Sequence, residues 1–293
     1  MRIINGLNKN LQHTFKAKGV LKPHTKLLGL CSAGMLGLAT LIMPLGAKAQ
    51  NNVLFVSSNE SSNPGWNAYI ANARNAFDEV APAGTFVNRT GGLSGTTSLT
   101  SDIANAKLLV LTTVCSSTNP DRWDEVQAAL ETRPDLMVIG FVDGSNAGDC
   151  PTHLSRVTDA INAIKPDTWS TIKAETTLNE LSAPLNQQSL YASTFQSVLP
   201  SIVGGWWGRM SPIPTDYALY TQVAVASPAP PTVSDAYGLF IPQAASNAGK
   251  GACLFFVADT SQFSNTIGGG GLQPTQSNNI AKAFYAAATD PAG

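Results

Sequence analysis

The stretch 107–148 reads KLLVLTTV (107–114), then SSTNPDRWDEVQAALETRPD (116–135), then LMVIGFVDGSNAG (136–148). An apolar run, an amphipathic segment and a second apolar run make a βαβ unit, and that unit sets the fold class. Trp123, Val126 and Leu130 recur at i, i+3 and i+7, while Asp121, Asp124, Glu125 and Glu131 fill the other faces of the helix. Asn119-Pro120 supplies the start signal, a capping side chain followed by a residue whose missing N–H is not needed in the first turn. The flanking runs 108–114 and 136–142 are almost continuously apolar, as strands covered on both faces are, and a right-handed crossover makes them parallel neighbours.

Working outward, residues 52–58 (NVLFVSS) read as a first strand, and Asn63-Pro64 repeats the start signal before a helix with Trp66, Tyr69, Ile70, Ala73, Phe77 and Val80 on one stripe. Residues 85–90 read as a short edge strand and 91–100 (GGLSGTTSLT) as a flexible loop, with Ser101-Asp102 capping a helical turn before Lys107. Residues 153–164 place Leu154, Val157, Ile161 and Ile164 at helical spacing. Residues 168–191 divide into helix and loop in several ways, and 203–214 (VGGWWGRMSPIP) read as a loop or a lid. Strands are expected at 218–226, 237–241 and 252–258, and a last helix at 277–288. Strands joined by helices imply an α/β, three-layer, doubly wound and mostly parallel sheet of flavodoxin-like type, with a less regular inserted region, a subdomain or lid, around 165–235.

Residues 1–49 read as a secretory signal peptide rather than as part of the fold. Six basic residues from Arg2 to Lys26 precede an apolar run at 27–43, and Ala47-Lys48-Ala49 fits a small-residue cleavage site. A lipoprotein site at Cys31 lacks the small residue before it, because Leu30 is there, and an uncleaved anchor would use a run interrupted by glycine and near the lower length limit. The long basic region resembles, in layout, the extended signal peptides of Gram-negative autotransporters and large adhesins. Residues 50–293 then form a single exported α/β domain, located in the periplasm, on the outer surface or outside the cell. Seven of the 18 basic residues and none of the 19 acidic ones lie in 1–49, so cleavage leaves 11 positive against 19 negative charges, a net of −8. Such a chain, without a Lys/Arg cluster, is a poor partner for nucleic acid or an anionic membrane surface. No membrane span is expected after cleavage. The closing TDPAG reads as the start of a linker to something longer.

Cys115, Cys150 and Cys253 remain after cleavage. Cys115 and Cys150 follow successive strands of the βαβ unit, project from one edge of the sheet, and are expected to form a disulfide in an oxidising compartment. The plainer reading makes all three small core or loop residues. Cys253, inside an apolar run, is expected as a buried thiol.

With these elements placed, NVLFVSS, KLLVLTTV, LMVIGFVDG, GACLFFVADTSQFSN (251–265) and NNIAKAFYAA (278–287) together resemble the class I glutamine amidotransferase-like group of flavodoxin-like folds. Catalytic members of that group place a cysteine on a sharp strand-to-helix turn of the form G-x-C-x-G, beside an oxyanion hole. The matching positions here are Gly140-Phe141-Val142-Asp143-Gly144, so a valine stands where the nucleophile belongs. No histidine follows the later strand in FFVADTSQF either, and the resemblance therefore implies a catalytically empty relative.

His153 is the only imidazole outside residues 1–49, and the plain reading is an exposed residue at a helix start. A pairing with Cys150 would lower that thiol's pKa. One histidine and three scattered cysteines do not make a zinc site, and no glycine-rich phosphate loop is present. Asp143 and Asp259 are expected at C-terminal strand ends, with Glu60 on the first loop at the same edge, where open α/β sheets bind ligands. With Ser145 they form the alternative reading, a hydrolase using Asp143, Ser145, Asp259 and Glu60 and a divalent metal. Against it, turn formation explains both aspartates, and the D-x-S-x-S metal pattern fails at Ala147.

Trp206, Trp207 and Arg209 are the candidate ligand-binding residues, offering indole faces and a cation near Asp216; the plainer role of the tryptophan pair is to anchor a long loop. The expectation is thus a non-catalytic binding or adhesion module with a glycan or protein ligand, no cofactor and no bound metal.

Overall fold

Alternation along the strands decides which side chain enters which layer. The computed structural model describes residues 52–58, 64–114, 121–142, 153–177, 181–204, 207–222, 224–263 and 274–289. The first half of the chain runs β1 (Asn52–Val56), α1 (Pro64–Val80), β2 (Phe86–Arg89), α2 (Thr100–Asn105), β3 (Ala106–Leu111), α3 (Trp123–Thr132), β4 (Met137–Phe141) and α4 (His153–Ile164). The second half runs β5 (Lys173–Thr177), β6 (Leu181–Pro184), α5 (Ala192–Phe195), β7 (Ser201–Gly204), β8 (Trp207–Ser211), β9 (Ile213–Pro214), β10 (Ala218–Thr221), β11 (Thr232–Val233), β12 (Ala236–Ile241), β13 (Cys253–Val257) and α6 (Pro274–Thr289).

The main sheet has nine strands in the order β2-β1-β3-β4-β13-β12-β8-β5, with β10 also paired to β12. Its first five strands are parallel, in the succession of a flavodoxin-like sheet. The expected α/β doubly wound class holds, extended by an antiparallel flank. Val53, Phe55, Val110, Ile139, Phe255 and Val257 face one layer, packed with Ile70 and Phe77 of α1 and Phe284 of α6. Leu54, Val56, Leu109, Val138, Leu254 and Phe256 face the other, packed with Ile103 of α2, Trp123 and Leu130 of α3, and Val157 and Ile161 of α4.

Several expectations are corrected. The α3 helix starts at Trp123 rather than after Asn119-Pro120, and the Asp121 carboxylate accepts the Trp123 N–H at 3.0 Å. Residues 119 and 120 lie outside the described residues. The first turn of α2 begins at Thr100, and Asp102 ion-pairs with Arg89 at 2.5 Å instead of capping. Residues 168–191 carry two strands, β5 and β6, and 203–214 carry β8 and β9 instead of a loop. Cys253 is fully buried as expected, but it is not a free thiol. The proposed signal segment 1–49 and the Cys115–Cys150 pair lie outside the described residues. Among the described residues, no helix is long and apolar enough to cross a membrane.

Candidate functional site

Parallel strands all end at one edge, so that edge collects whatever residues follow them. Ser57-Ser58 follow β1, Thr112-Thr113 follow β3, Val142 follows β4, and Ala258-Asp259 follow β13. The connection from β1 goes outward to β2 and then back across to β3, so the strand order reverses between β1 and β3; open α/β sheets bind ligands at such a reversal. Ser57, Ser58, Thr112 and Thr113 flank it, each at most 2% exposed.

Hydrogen bonds hold the two strand ends together. The Ser58 N–H donates to the Thr113 carbonyl at 2.8 Å, and the Ser57 hydroxyl accepts the Gly91 N–H at 3.2 Å. Gly91 has φ 74°, a left-handed conformation that turns the chain over the end of β1. The Leu93 N–H then donates to the Ser57 carbonyl at 3.1 Å.

The segment 91–100, expected as a flexible loop, is pinned from α3. Arg122 donates from its backbone to the Leu93 carbonyl at 2.8 Å and from its guanidinium to the carbonyls of Gly95 at 3.2 Å and Thr96 at 2.6 Å. Glu125 accepts from the Ser98 hydroxyl at 2.8 Å, the Leu99 N–H at 2.7 Å and the Thr100 hydroxyl at 2.8 Å. Burial pushes the Glu125 carboxyl up, but the hydrogen bonds from Ser98, Thr100 and Leu99 outweigh it and hold the group below its ordinary value.

Inside this frame, three buried hydroxyls, those of Ser94, Thr112 and Thr113, have no hydrogen-bond partner among the described residues. Leaving a buried hydroxyl unmade costs on the order of 1–3 kcal/mol, so three near one strand reversal form an unsatisfied polar cluster there. Asp259 and Gln262 are fully buried at the end of β13. Phe263 packs edge-on against Phe141 at 4.9 Å, and its carbonyl accepts the Asn72 amide at 2.8 Å.

The predicted residues fall unevenly. Asp259 stands at the strand-end edge as expected, whereas Glu60, Asp143 and Ser145 lie outside the described residues. Val142, which the sequence resemblance matches to a nucleophile, is 1% exposed and donates its N–H to the Val257 carbonyl at 3.0 Å. Positive φ among the described non-glycine residues occurs at Asn247 and Ala248, not at Val142, so this position is an ordinary buried strand end.

Trp206 lies outside the described residues, and Trp207 opens β8 opposite Thr177. The β8 strand meets the sheet just past the end of β13, where the Gly208 N–H donates to the Ala258 carbonyl at 3.2 Å and Met210 pairs with Ala236. Trp207 and Arg209 therefore belong to the same edge as Asp259. Arg209 ion-pairs with Glu175, its cross-strand neighbour. Among the described residues, no group of three or more His, Cys, Asp or Glu side chains is placed to hold a metal ion. The threonine pair was missed because KLLVLTTV reads as uninterrupted strand; the one signal was two hydroxyl residues at the end of an otherwise apolar run.

No protein-family model matches the chain, and no curated protein sequence matches it. Among solved structures, a protein of Bacteroides uniformis ATCC 8492 described as ThuA-like aligns with a TM-score of 0.48 and 12% identity, over 86% of this chain and 98% of that one. A second ThuA-like protein, from Parabacteroides merdae ATCC 43184, aligns with a TM-score of 0.40 and 10% identity, over 81% of this chain and 90% of that one. At these levels neither neighbour assigns a residue or an activity to this chain.

Proposed function

We propose that the chain is an exported binding or adhesion module without catalytic activity, a catalytically empty relative of the glutamine amidotransferase-like group. It works at the cell surface or in the periplasm and takes a glycan or protein ligand at the strand-end crevice. The observation that carries this reading is the pairing of two features on one edge. Buried hydroxyls at Ser94, Thr112 and Thr113 lack partners, and the position where a nucleophile would stand holds the buried Val142. The first supports a ligand, and the second supports the reading that no group there attacks it. The basic and apolar layout of residues 1–49 and the net charge of −8 beyond them support export and argue against nucleic acid.

A ligand that binds only the folded chain raises its melting temperature, which makes a thermal-shift screen against bacterial and host glycans, calcium and magnesium the test. A glycan held at the strand ends is expected to stabilise the wild-type chain, and Thr112→Val with Thr113→Val to reduce that shift. The double variant itself should melt at the same temperature or higher, because valine removes a buried hydroxyl that makes no hydrogen bond while keeping the shape. Calcium- or magnesium-dependent hydrolysis of p-nitrophenyl acetate, lost in Asp259→Asn, would overturn the reading in favour of a hydrolase.

A further inference from the structure

A groove of about 540 Å³ lies at the edge of the sheet opposite the strand ends just described. Its place follows from the register. Pro242 comes directly after Ile241, which pairs with Leu254 near the start of β13, and Tyr217 comes directly before Ala218, which pairs with Leu239. Residues 162–167, at and beyond the end of α4, close the third side.

One wall is aromatic. Tyr217 packs on Trp169 at 4.7 Å and lies 5.9 Å from Tyr191, which in turn packs edge-on against Phe240 at 4.9 Å. Both tyrosines line the groove, and neither phenol hydroxyl hydrogen-bonds to a described residue. Burial, with Tyr217 and Asp216 nearby, pushes the Tyr191 phenol up to about 12, so it stays a neutral donor and acceptor at physiological pH.

The facing wall is held under strain. Asn247 (φ 44°, ψ 50°) and Ala248 (φ 52°, ψ 37°) both adopt the left-handed conformation, which an alanine rarely takes. Their surroundings impose it. The Asn247 amide donates to the Glu131 carbonyl at 2.8 Å, the Gln243 amide donates to the Gly249 carbonyl, and the Ala252 N–H donates to the Leu130 carbonyl at 2.8 Å. A wall fixed in this way does not have to be ordered when a ligand arrives.

Charge in the groove balances. Lys165 donates to the Trp169 carbonyl at 2.9 Å and keeps two further N–H donors, while the exposed Asp167 carboxylate has no partner among the described residues. An anion would meet Asp167, and a cation would meet Lys165. A neutral molecule with apolar C–H faces and several hydroxyls meets tyrosine rings, two phenol hydroxyls, one strong acceptor and one strong donor.

We propose that this groove is a binding site for a neutral saccharide, with Tyr191 and Tyr217 giving ring contact and hydroxyl bonds and Asp167 and Lys165 orienting the sugar hydroxyls. The site is separate from the strand-end crevice and stands whether or not that crevice binds anything.

The test is titration of the full chain with maltose, cellobiose and N,N′-diacetylchitobiose, followed by intrinsic tryptophan fluorescence, since Trp169 touches Tyr217. At least one is expected to saturate with a Kd of about 1 mM or tighter. Tyr191→Phe with Tyr217→Phe, which keeps both rings, should weaken it by about tenfold through two lost hydrogen bonds. Asp167→Asn, at an exposed position, should weaken it without lowering the melting temperature. Failure of all three sugars to saturate by about 50 mM, or wild-type affinity in both the Tyr→Phe and Asp→Asn variants, would overturn the proposal.

Discussion

The parallel part of the sheet and its antiparallel flank are built by different rules. In β1, β3, β4 and β13, helices cover both faces, so Val53 and Phe55 enter one layer while Leu54 and Val56 enter the other, and nearly every residue is buried. In the flank, β5 carries Lys173 and Glu175 in the open, and its partner β8 buries Met210 fully while Arg209 stays partly exposed. Where two layers press on a strand, composition alone forces the side chains inward. At the β5–β8 end of the flank, pairing with a neighbour makes the segment a strand, whereas β10 and β12 are buried throughout. Substitutions should therefore separate the two regions by size of effect.

The largest effect is expected at Phe255. This side chain is fully buried, stacks on Phe195 at 5.1 Å, and meets Phe284 at 4.8 Å and Phe141 at 5.7 Å. Phe255→Ala removes the ring from a packed layer and should cost about 3–5 kcal/mol, a large share of the stability of most domains. Urea denaturation measures it, and a loss below about 1 kcal/mol would mean that the layer collapses around the gap and that the parallel region is less tightly packed than its burial implies.

The same contrast explains what could be read from the residues alone. The βαβ unit was legible because apolar runs and a 3.6-residue stripe coincide in 107–142, and α4 was legible from Val157, Ile161 and Ile164. The β5 segment KAETT and the β6 segment LSAP were not, because they carry charged or small residues and become strands through partners distant in sequence. At the strand-end site, Asp259 could be placed once its strand was recognised, since the residue after a parallel strand must lie at that edge. Thr112 and Thr113 were hidden inside an apolar run. The tyrosine groove was beyond reach, as Tyr191 and Tyr217 meet only through long-range packing against Phe240 and Trp169.

An intermediate effect is expected at Glu125, which belongs to the parallel region but works through polar contacts. Glu125→Gln keeps the shape and weakens the bonds from Ser98, Leu99 and Thr100 by removing the charge that strengthens them, a loss of about 1–2 kcal/mol at neutral pH. The pH dependence follows from the lowered carboxyl. The unfolded chain protonates near the ordinary 4.5 while the folded chain resists, so this contribution is complete above that value and fades as the pH falls through the lower folded-state value. Melting temperatures of wild type and Glu125→Gln should therefore differ most at neutral pH and converge below pH 4.5. A constant difference down to acid pH would show that Glu125 acts through packing and not through its charge.

The smallest effect is expected at Arg209, on the flank. Its guanidinium pairs with Glu175 directly across β5 and β8, but the two side chains are 41% and 65% exposed, so water and salt screen the pair and both partners give up rotamer freedom to hold it. Arg209→Ala should leave the melting temperature unchanged within error, at low salt as well as high. Sugar binding in the tyrosine groove should also be unchanged, because that groove lies at the opposite edge of the sheet. A clear drop in melting temperature that disappears on adding salt would break the contrast. It would mean that the antiparallel flank is held by charge across the β5–β8 pair, so that its stability, unlike that of the parallel strands, depends on ionic strength as well as on pairing and on the burial of Met210.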